Sequence, residues 1–412
     1  MTANDENESV RLEQLKKEID SMEGKISSFG RVRTRDDQMR KAEQQHLLAD
    51  KVEKYELLLE TDRVASVVRE HDELYPPQTE DCPICLDPMK ITDTMVKHFA
   101  CCGNSFCRKC DEQNYEHGYF KLCPLCRAPA AKGEERQTKL VKERAEDGRA
   151  WAQYNLGSYF FEGLKGFPLD INKALGWYKL AAEQHFPDAL YTLATLYSQG
   201  RVVKQSHSKA FSLFKEAADL GCAVSQTNVG NMYVDGQGVG VDKSMAAYYH
   251  TLAYSQNKCR NAGYHLGCFF ITGDVRGLRQ SLVRAKYYLE CAAKQGCGSA
   301  YSFLSTTLMS LYQGQYDGHP NLPGHSCLPQ VFYWMRKAVL ENDANAITAK
   351  ENLKEMENDE HAYCAICLKD ARSHPEKLKR CTRCKSEWYC GRDCQRKHWQ
   401  MGHKFDCIEQ AA

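Results

Sequence analysis

The sequence has no apolar run approaching the roughly 20 residues needed to span a bilayer, and its first ten residues, MTANDENESV, lack the charged-then-apolar layout of a secretory signal. These absences argue for a soluble, intracellular chain, in cytoplasm or nucleus, with no membrane partner. Net charge is also nearly missing: 55 Lys and Arg against 54 Asp and Glu leave +1. No global basic field therefore indicates nucleic acid. There is no paired Ser/His/Asp set, no glycine loop fit to cradle phosphate, and no nucleophilic cysteine in an evident catalytic setting. What remains is 412 residues, 42% of them hydrophobic, enough for about two to four domains with buried cores.

Cysteine, by contrast, is abundant, with 21 residues. In a reducing compartment, Cys-x-x-Cys spacing favours metal over disulfides. The distribution agrees: eight cysteines lie between Cys82 and Cys126, seven between Cys364 and Cys407, and six are scattered from Cys222 to Cys327. The two clusters are candidate metal sites. The scattered six are expected to be small buried hydrophobes.

Residues 1–75 are rich in Glu, Lys, Gln and Arg. Leu12, Leu15, Ile19, Met22, Ile26 and Phe29 form a short heptad stripe, and Leu48, Val52, Tyr55 and Leu59 form a second beyond Gly30. The stripes predict two helices or one broken helix, of coiled-coil type, able either to self-associate or to pack as a pair. YPPQ at 75–78 ends the region, because proline cannot continue a helix.

From 137 to 345 the sequence repeats. AQYNLGSYFFEG, ALYTLATLYSQG, SQTNVGNMYVDG and AGYHLGCFFITG place Leu156, Leu193, Val229 and Leu266 at intervals of 37, 36 and 37, and a fifth copy places Leu304 a further 38 on. Each unit continues into a second helix ending on small residues. Two short amphipathic helices cannot bury their faces alone, so neighbouring units must stack. Alanines permit close helix crossings, while Gly163, Gly200, Gly236 and Gly273 can form the turns. The pattern resembles the Sel-1-like branch of the tetratricopeptide-type solenoids, which implies a surface for protein or peptide ligands. The fifth unit departs from it through the insertion YQGQYDGHPNLPGHSCLPQ.

The first cysteine cluster contains three Cys-x-x-Cys pairs: Cys82 and Cys85, Cys107 and Cys110, Cys123 and Cys126. Zinc takes four thiolate or imidazole ligands in a closed tetrahedron when its role is structural. The pairs, with CPIC and CPLCR, resemble a RING domain, which implies two cross-braced zinc ions. On that resemblance Cys82, Cys85, Cys107 and Cys110 hold one ion. Cys123 and Cys126 hold the other with a second pair drawn from ACCGNSFCRKC. The preferred pair is Cys101 with Cys102; the alternative is Cys102 with Asn104, whose neutral amide competes badly with thiolate. His98 lies outside the expected spacing and reads as a polar loop residue. The resemblance also implies docking of a ubiquitin-charged conjugating enzyme, with Ile84, Pro124 and Arg127 at the contact positions. Arg127 would hold the thioester in an attack-ready pose. No catalytic residue is assigned, and the alternative is that Ile84 and Pro124 merely shape the knuckles while Arg127 is solvated.

The second cluster, over 364–407, has the spacing of a MYND zinc finger and resembles one at all eight ligand positions. That resemblance assigns Cys364, Cys367, Cys390 and Cys394 to one zinc ion, and Cys381, Cys384, His403 and Cys407 to another. His398 comes too early and reads as a helix-surface residue. Trp388, Tyr389 and Trp399 are either a strip for proline-containing peptides or the small core, and KLKR reads as a solvated face. MYND fingers also accompany lysine methyltransferases, but no motif for methyl transfer is present.

The expected fold class is mostly α: a helical, coiled-coil-type segment over 1–75, a cross-braced RING zinc domain over 79–130, an α-solenoid of helix pairs over 137–345, and a MYND finger over 361–410, with four zinc ions in all. The leading function is a RING-type ubiquitin ligase that recruits a ubiquitin-conjugating enzyme while the repeats and MYND finger hold substrate or adaptor proteins. The competing function is a non-enzymatic scaffold.

Overall fold

The computed structural model describes residues 3–28, 35–76, 79–85, 87–90, 96–98, 105–107, 109–110, 112–113, 123, 125–126, 134–257, 260–315, 328–341, 346–356, 379–384, 388–389, 392–399 and 407. They fall in two compact units, one of Met1–Ala65 with Lys258–Ala412, the other of Ser66–Asn257.

Two helices open the chain, α1 (Ala3–Ser27) and α2 (Arg35–Leu74). Ile19 and Met22 of the first heptad stripe are buried, and Lys51 on α2 pairs with Glu18 on α1. Helix α2 stops at Leu74, two residues before Pro76, as the missing proline N–H requires. Its last turns belong to the second unit, where Val67 and Val68 pack against a cluster containing Phe214, Val229 and Tyr249.

In the second unit two short antiparallel hairpins follow, β1 (Thr79–Asp81) with β2 (Pro88–Lys90) and β3 (Val96–His98) with β4 (Ser105–Cys107). Then come α3 (Glu134–Glu146), α4 (Ala150–Glu162), α5 (Ile171–Ala182), α6 (Pro187–Gln199), α7 (His207–Asp219), α8 (Ala223–Asp235) and α9 (Lys243–Asn257), each packed on the next. The first unit contains α10 (Arg260–Thr272), α11 (Leu282–Lys294), α12 (Gly298–Gln315), α13 (Leu328–Leu340) and α14 (Ala346–Met356), also packed in sequence. It also holds a small hairpin of β5 (Lys379–Arg380) with β6 (Trp388–Tyr389), and α15 (Arg392–His398). The fold is mostly helical, built on a solenoid of helix pairs. Most of the fifth unit's insertion, 316–327, lies outside the described residues.

The repeat marker residues Leu156, Leu193, Val229, Leu266 and Leu304 are all buried, so the register read from the sequence is the register of the core. The residue after four of these markers is small, because the partner helix packs there. A Cβ on Gly230 would stand 2.7 Å from the His250 ring, and one on Gly267 would stand 2.6 Å from Leu289 Cγ. In the first four units the first helix ends on a glycine with φ between 63° and 71°, a left-handed turn that side chains with a Cβ disfavour.

One device escaped sequence reading. Asp170, Ser206, Asp242 and Ser281 each donate their backbone N–H to a carbonyl of the preceding helix, Phe160, Tyr197, Tyr233 and Phe270, at 2.9–3.0 Å. Their side chains then cap the second helix: Asp242 Oδ1 accepts from the N–H groups of Ser244 and Met245 at 2.9 and 3.0 Å, satisfying orphan donors of the first turn. Of the scattered cysteines, Cys297 is buried, whereas Cys222, Cys268 and Cys291 are half-buried. Those three are therefore less buried than the small buried hydrophobes expected. Cys259 and Cys327 lie outside the described residues.

Candidate metal centres

The first centre is built by loops that bring distant pairs together. Cys82 and Cys85 flank a tight turn after β1, held by the Cys82 N–H donating to the Asp87 carbonyl at 2.9 Å. Cys107 ends β4, and Cys110 follows three residues on. The four sulfurs lie within 4.8 Å of one another. Cys82 and Cys110 are 3.9 Å apart and Cys85 and Cys107 3.7 Å apart. A tetrahedron with Zn–S near 2.3 Å has edges of about 3.8 Å, so the donor set fits zinc.

The electrostatics agree. Burial pushes the Cys82 thiol up, but N–H groups of Cys85, Cys107 and Ile84 outweigh it and hold the sulfur at about 6. Burial and the neighbouring sulfurs push the Cys110 thiol up. Four thiols this close cannot all ionise without a cation among them; a divalent ion supplies that charge and converts the cluster to thiolates.

Cys123 is buried and Cys126 exposed; neither joins that foursome. Their expected mates Cys101, Cys102 and Asn104 lie outside the described residues, as do Pro124 and Arg127. Ile84 is described, with 43% of its surface exposed although its backbone faces the Cys82 sulfur. His98 departs from the loop position expected of it: it ends β3, paired with Ser105. Pairing with β4 extends the backbone at 98.

In the second centre, Cys381, Cys384 and Cys407 converge, with all three sulfurs within 4.8 Å and Cys381 and Cys407 3.8 Å apart. That spacing fits the same tetrahedral edge. Burial, then the neighbouring Cys381, raises the Cys407 thiol to about 11. Cys394, on α15, packs against this cluster. Cys364, Cys367, Cys390 and His403 lie outside the described residues. Of the aromatics, Tyr389 is buried against the sulfurs and Trp399 is 40% exposed; the Trp388 side chain lies outside the described residues. Lys379 of KLKR is exposed, but Arg380 is half-buried within β5, so the run is only partly a solvated face. Among the described residues, no helix is long and apolar enough to cross a membrane.

Comparison with known proteins bears on the repeats and the C-terminal cluster. The Sel1 repeat model matches 152–186, 187–222, 223–258 and 261–297, and the MYND finger model matches 364–407. The chain is 33% identical over 124 residues to a chitin synthase regulatory factor of Schizosaccharomyces pombe, covering 30% of this chain and 13% of that protein. It is 31% identical over 114 residues to an ERAD-associated E3 ubiquitin-protein ligase component, HRD3B, of Arabidopsis thaliana, covering 27% of this chain and 18% of that one. The chain thus spans less than a fifth of either relative. A solved protective antigen of uropathogenic Escherichia coli, described as having an SLR fold, is 28% identical, with 53% of this chain and 44% of that chain covered and a TM-score of 0.45. The chain carries Sel1 repeats and a C-terminal MYND finger, both protein-interaction modules, and its cysteine clusters suggest zinc binding.

Proposed function

We propose that the protein is a RING-type ubiquitin ligase in which the segment 79–130 orients a ubiquitin-charged conjugating enzyme while the repeats and MYND finger hold substrate or adaptor proteins. One observation carries the reading: Cys82 and Cys85 converge with Cys107 and Cys110, passing over Cys101 and Cys102, where the resemblance puts the intervening ligand pair. Cross-bracing of that kind is the arrangement a RING requires. A closed zinc shell has no open position, so the ions would fix the knuckles and perform no chemistry. Ile84, beside this centre with an exposed side chain, is the candidate anchor for the conjugating enzyme. Pro124 and Arg127 are the further contact candidates, Arg127 orienting the thioester.

The test is single-turnover discharge of ubiquitin from a panel of conjugating enzymes to free lysine. Wild type should accelerate discharge from at least one. Burying an isoleucine is worth about 1.5–3 kcal/mol, so Ile84→Ala should weaken docking roughly tenfold or more while keeping its zinc. Arg127→Ala should dock normally but discharge slowly. No acceleration by wild type with any enzyme would favour the second reading, a non-enzymatic scaffold. The relatives' names, a regulatory factor and a ligase component, support that reading, because they fit a repeat array that holds other proteins.

A further inference from the structure

The three acidic residues Glu53, Glu56 and Glu60 stand at i, i+3 and i+7 on α2, along one helical face. In the first unit that face lies on the repeat surface formed by α10 and α11. Glu53 pairs with Lys286 at 3.0 Å. Glu56 pairs with Arg284 at 2.7 Å and accepts a hydrogen bond from the Ser281 hydroxyl at 3.1 Å. Glu60 is almost fully buried, where it meets Arg284 at 3.4 Å, accepts from the Tyr288 hydroxyl at 2.5 Å, and is braced by Arg63 one turn on. Beneath these groups Phe270 and Tyr288 stack with a 6° interplanar angle. The Arg63 and Arg284 guanidiniums lie over the Phe270 ring at 5.8 and 5.5 Å.

The repeat side of this contact is a receptor in its chemistry. It offers one guanidinium positioned for two carboxylates, an ammonium one helical step away, two hydroxyl donors, and an aromatic platform. Ser281 caps α11 through its Oγ, which accepts from the Arg284 N–H at 3.3 Å, and the same hydroxyl donates to Glu56. Receptor and helix cap are thus one group, fixed before any ligand arrives. An ion-pair network is poor cement but selective: breaking one partner leaves an uncompensated charge, whereas an uncharged helix gains nothing there.

We propose that the surface of Phe270, Ser281, Arg284, Lys286 and Tyr288 is a binding site for acidic helices, which α2 fills as a resident ligand and which a partner protein enters by presenting carboxylates at the same i, i+3, i+7 spacing and displacing α2. The proposal rests on reading the repeats as a protein-binding surface and does not depend on ligase activity. Because α2 is tethered, its effective concentration is of order millimolar, so a free competitor meets a site that is mostly occupied.

The test uses the full-length protein and a fluorescent peptide of residues 48–66, read by anisotropy with no ubiquitin component present. Wild type should bind the peptide weakly. Glu56→Arg with Glu60→Arg, which sets arginine against Arg284, should unseat α2 and tighten peptide binding at least tenfold. Adding Arg284→Glu to that variant should abolish the gain, and a peptide carrying Gln at 56 and 60 should not bind it. Equal binding by wild type and the unseated variant, or by the acidic and Gln peptides, would overturn the proposal. So would loss of the cooperative helical melt in the unseated variant, because α2 would then be a permanent part of the repeat stack. Sedimentation showing a wild-type dimer that the same two substitutions dissolve would overturn the intramolecular seating, making the occupant the α2 of a second copy. Failure of ubiquitin discharge would leave every one of these outcomes unchanged.

Discussion

At the scale of single residues, the metal centres depend on which atoms can lose a proton and stay close together. Cys82 shows how the chain prepares for this: three backbone N–H groups offset the cost of burying its thiolate, so one member of the foursome is ready before metal arrives. The same logic favours Cys101 over Asn104 as a ligand of the second ion expected in this domain. A thiolate brings charge that a divalent ion needs, and an amide oxygen brings none. Cys101→Ser should therefore release one zinc ion and increase proteolysis within 79–126, while Asn104→Ala should leave zinc content unchanged. Elemental analysis of both purified variants checks it, and the reverse result would assign the ligand to Asn104. Cysteine pairs were legible in the sequence because two-residue spacing is a local signature of a metal knuckle. Which pairs meet was not local, since Cys82 and Cys110 stand 28 residues apart and only the family resemblance joined them.

At the scale of elements, the repeat is specified by where side chains are absent as much as by where they are present. Gly230 on α8 lets α9 bring His250 against the backbone, where a methyl group would stand 2.7 Å from the ring. The ring is wholly buried and cannot swing away, so Gly230→Ala should overpack the crossing and cost about 1–3 kcal/mol. Gly240→Ala, in the loop before α9 with nothing within 4 Å, should be nearly silent. Thermal melts of the two variants should separate by several degrees, and equal melting temperatures would mean the crossing yields. This part of the fold was legible because the markers, glycines and alanines recur in register. The caps at 170, 206, 242 and 281 recur too, but as Asp or Ser, a weaker signal than an invariant glycine. The destination of α2 was not legible at all. Its stripe announced a helix with an apolar face, but the partners of Glu53, Glu56 and Glu60 lie 224 to 233 residues away, and charge spacing alone does not name a partner.

At the scale of the whole chain, folding energy comes from two different sources. The helical repeats bury large side chains such as Tyr249, Tyr288, Tyr301 and Phe270, a core that needs no metal. The described buried clusters of the two zinc-type domains are made chiefly of the cysteines themselves, Cys82 and Cys110 in one, Cys381, Cys384 and Cys407 with Tyr389 in the other. Domains of this size with so little apolar surface do not hold together unaided; metal binding is their folding free energy. We expect four zinc ions per chain, two in each domain. A chelator should remove all four and make 79–126 and 379–407 the first sites of limited proteolysis. Far-UV circular dichroism should lose little, because the described residues of those segments are short strands, turns and few helical residues, and the helical melting transition should stay within a few degrees. Acid should act like the chelator as protons compete for the thiolates. A preparation with two ions or fewer would remove one zinc shell from each domain or both from one, and the cleavage sites would show which. Loss of the helical transition on chelation would mean that the repeats, too, depend on metal.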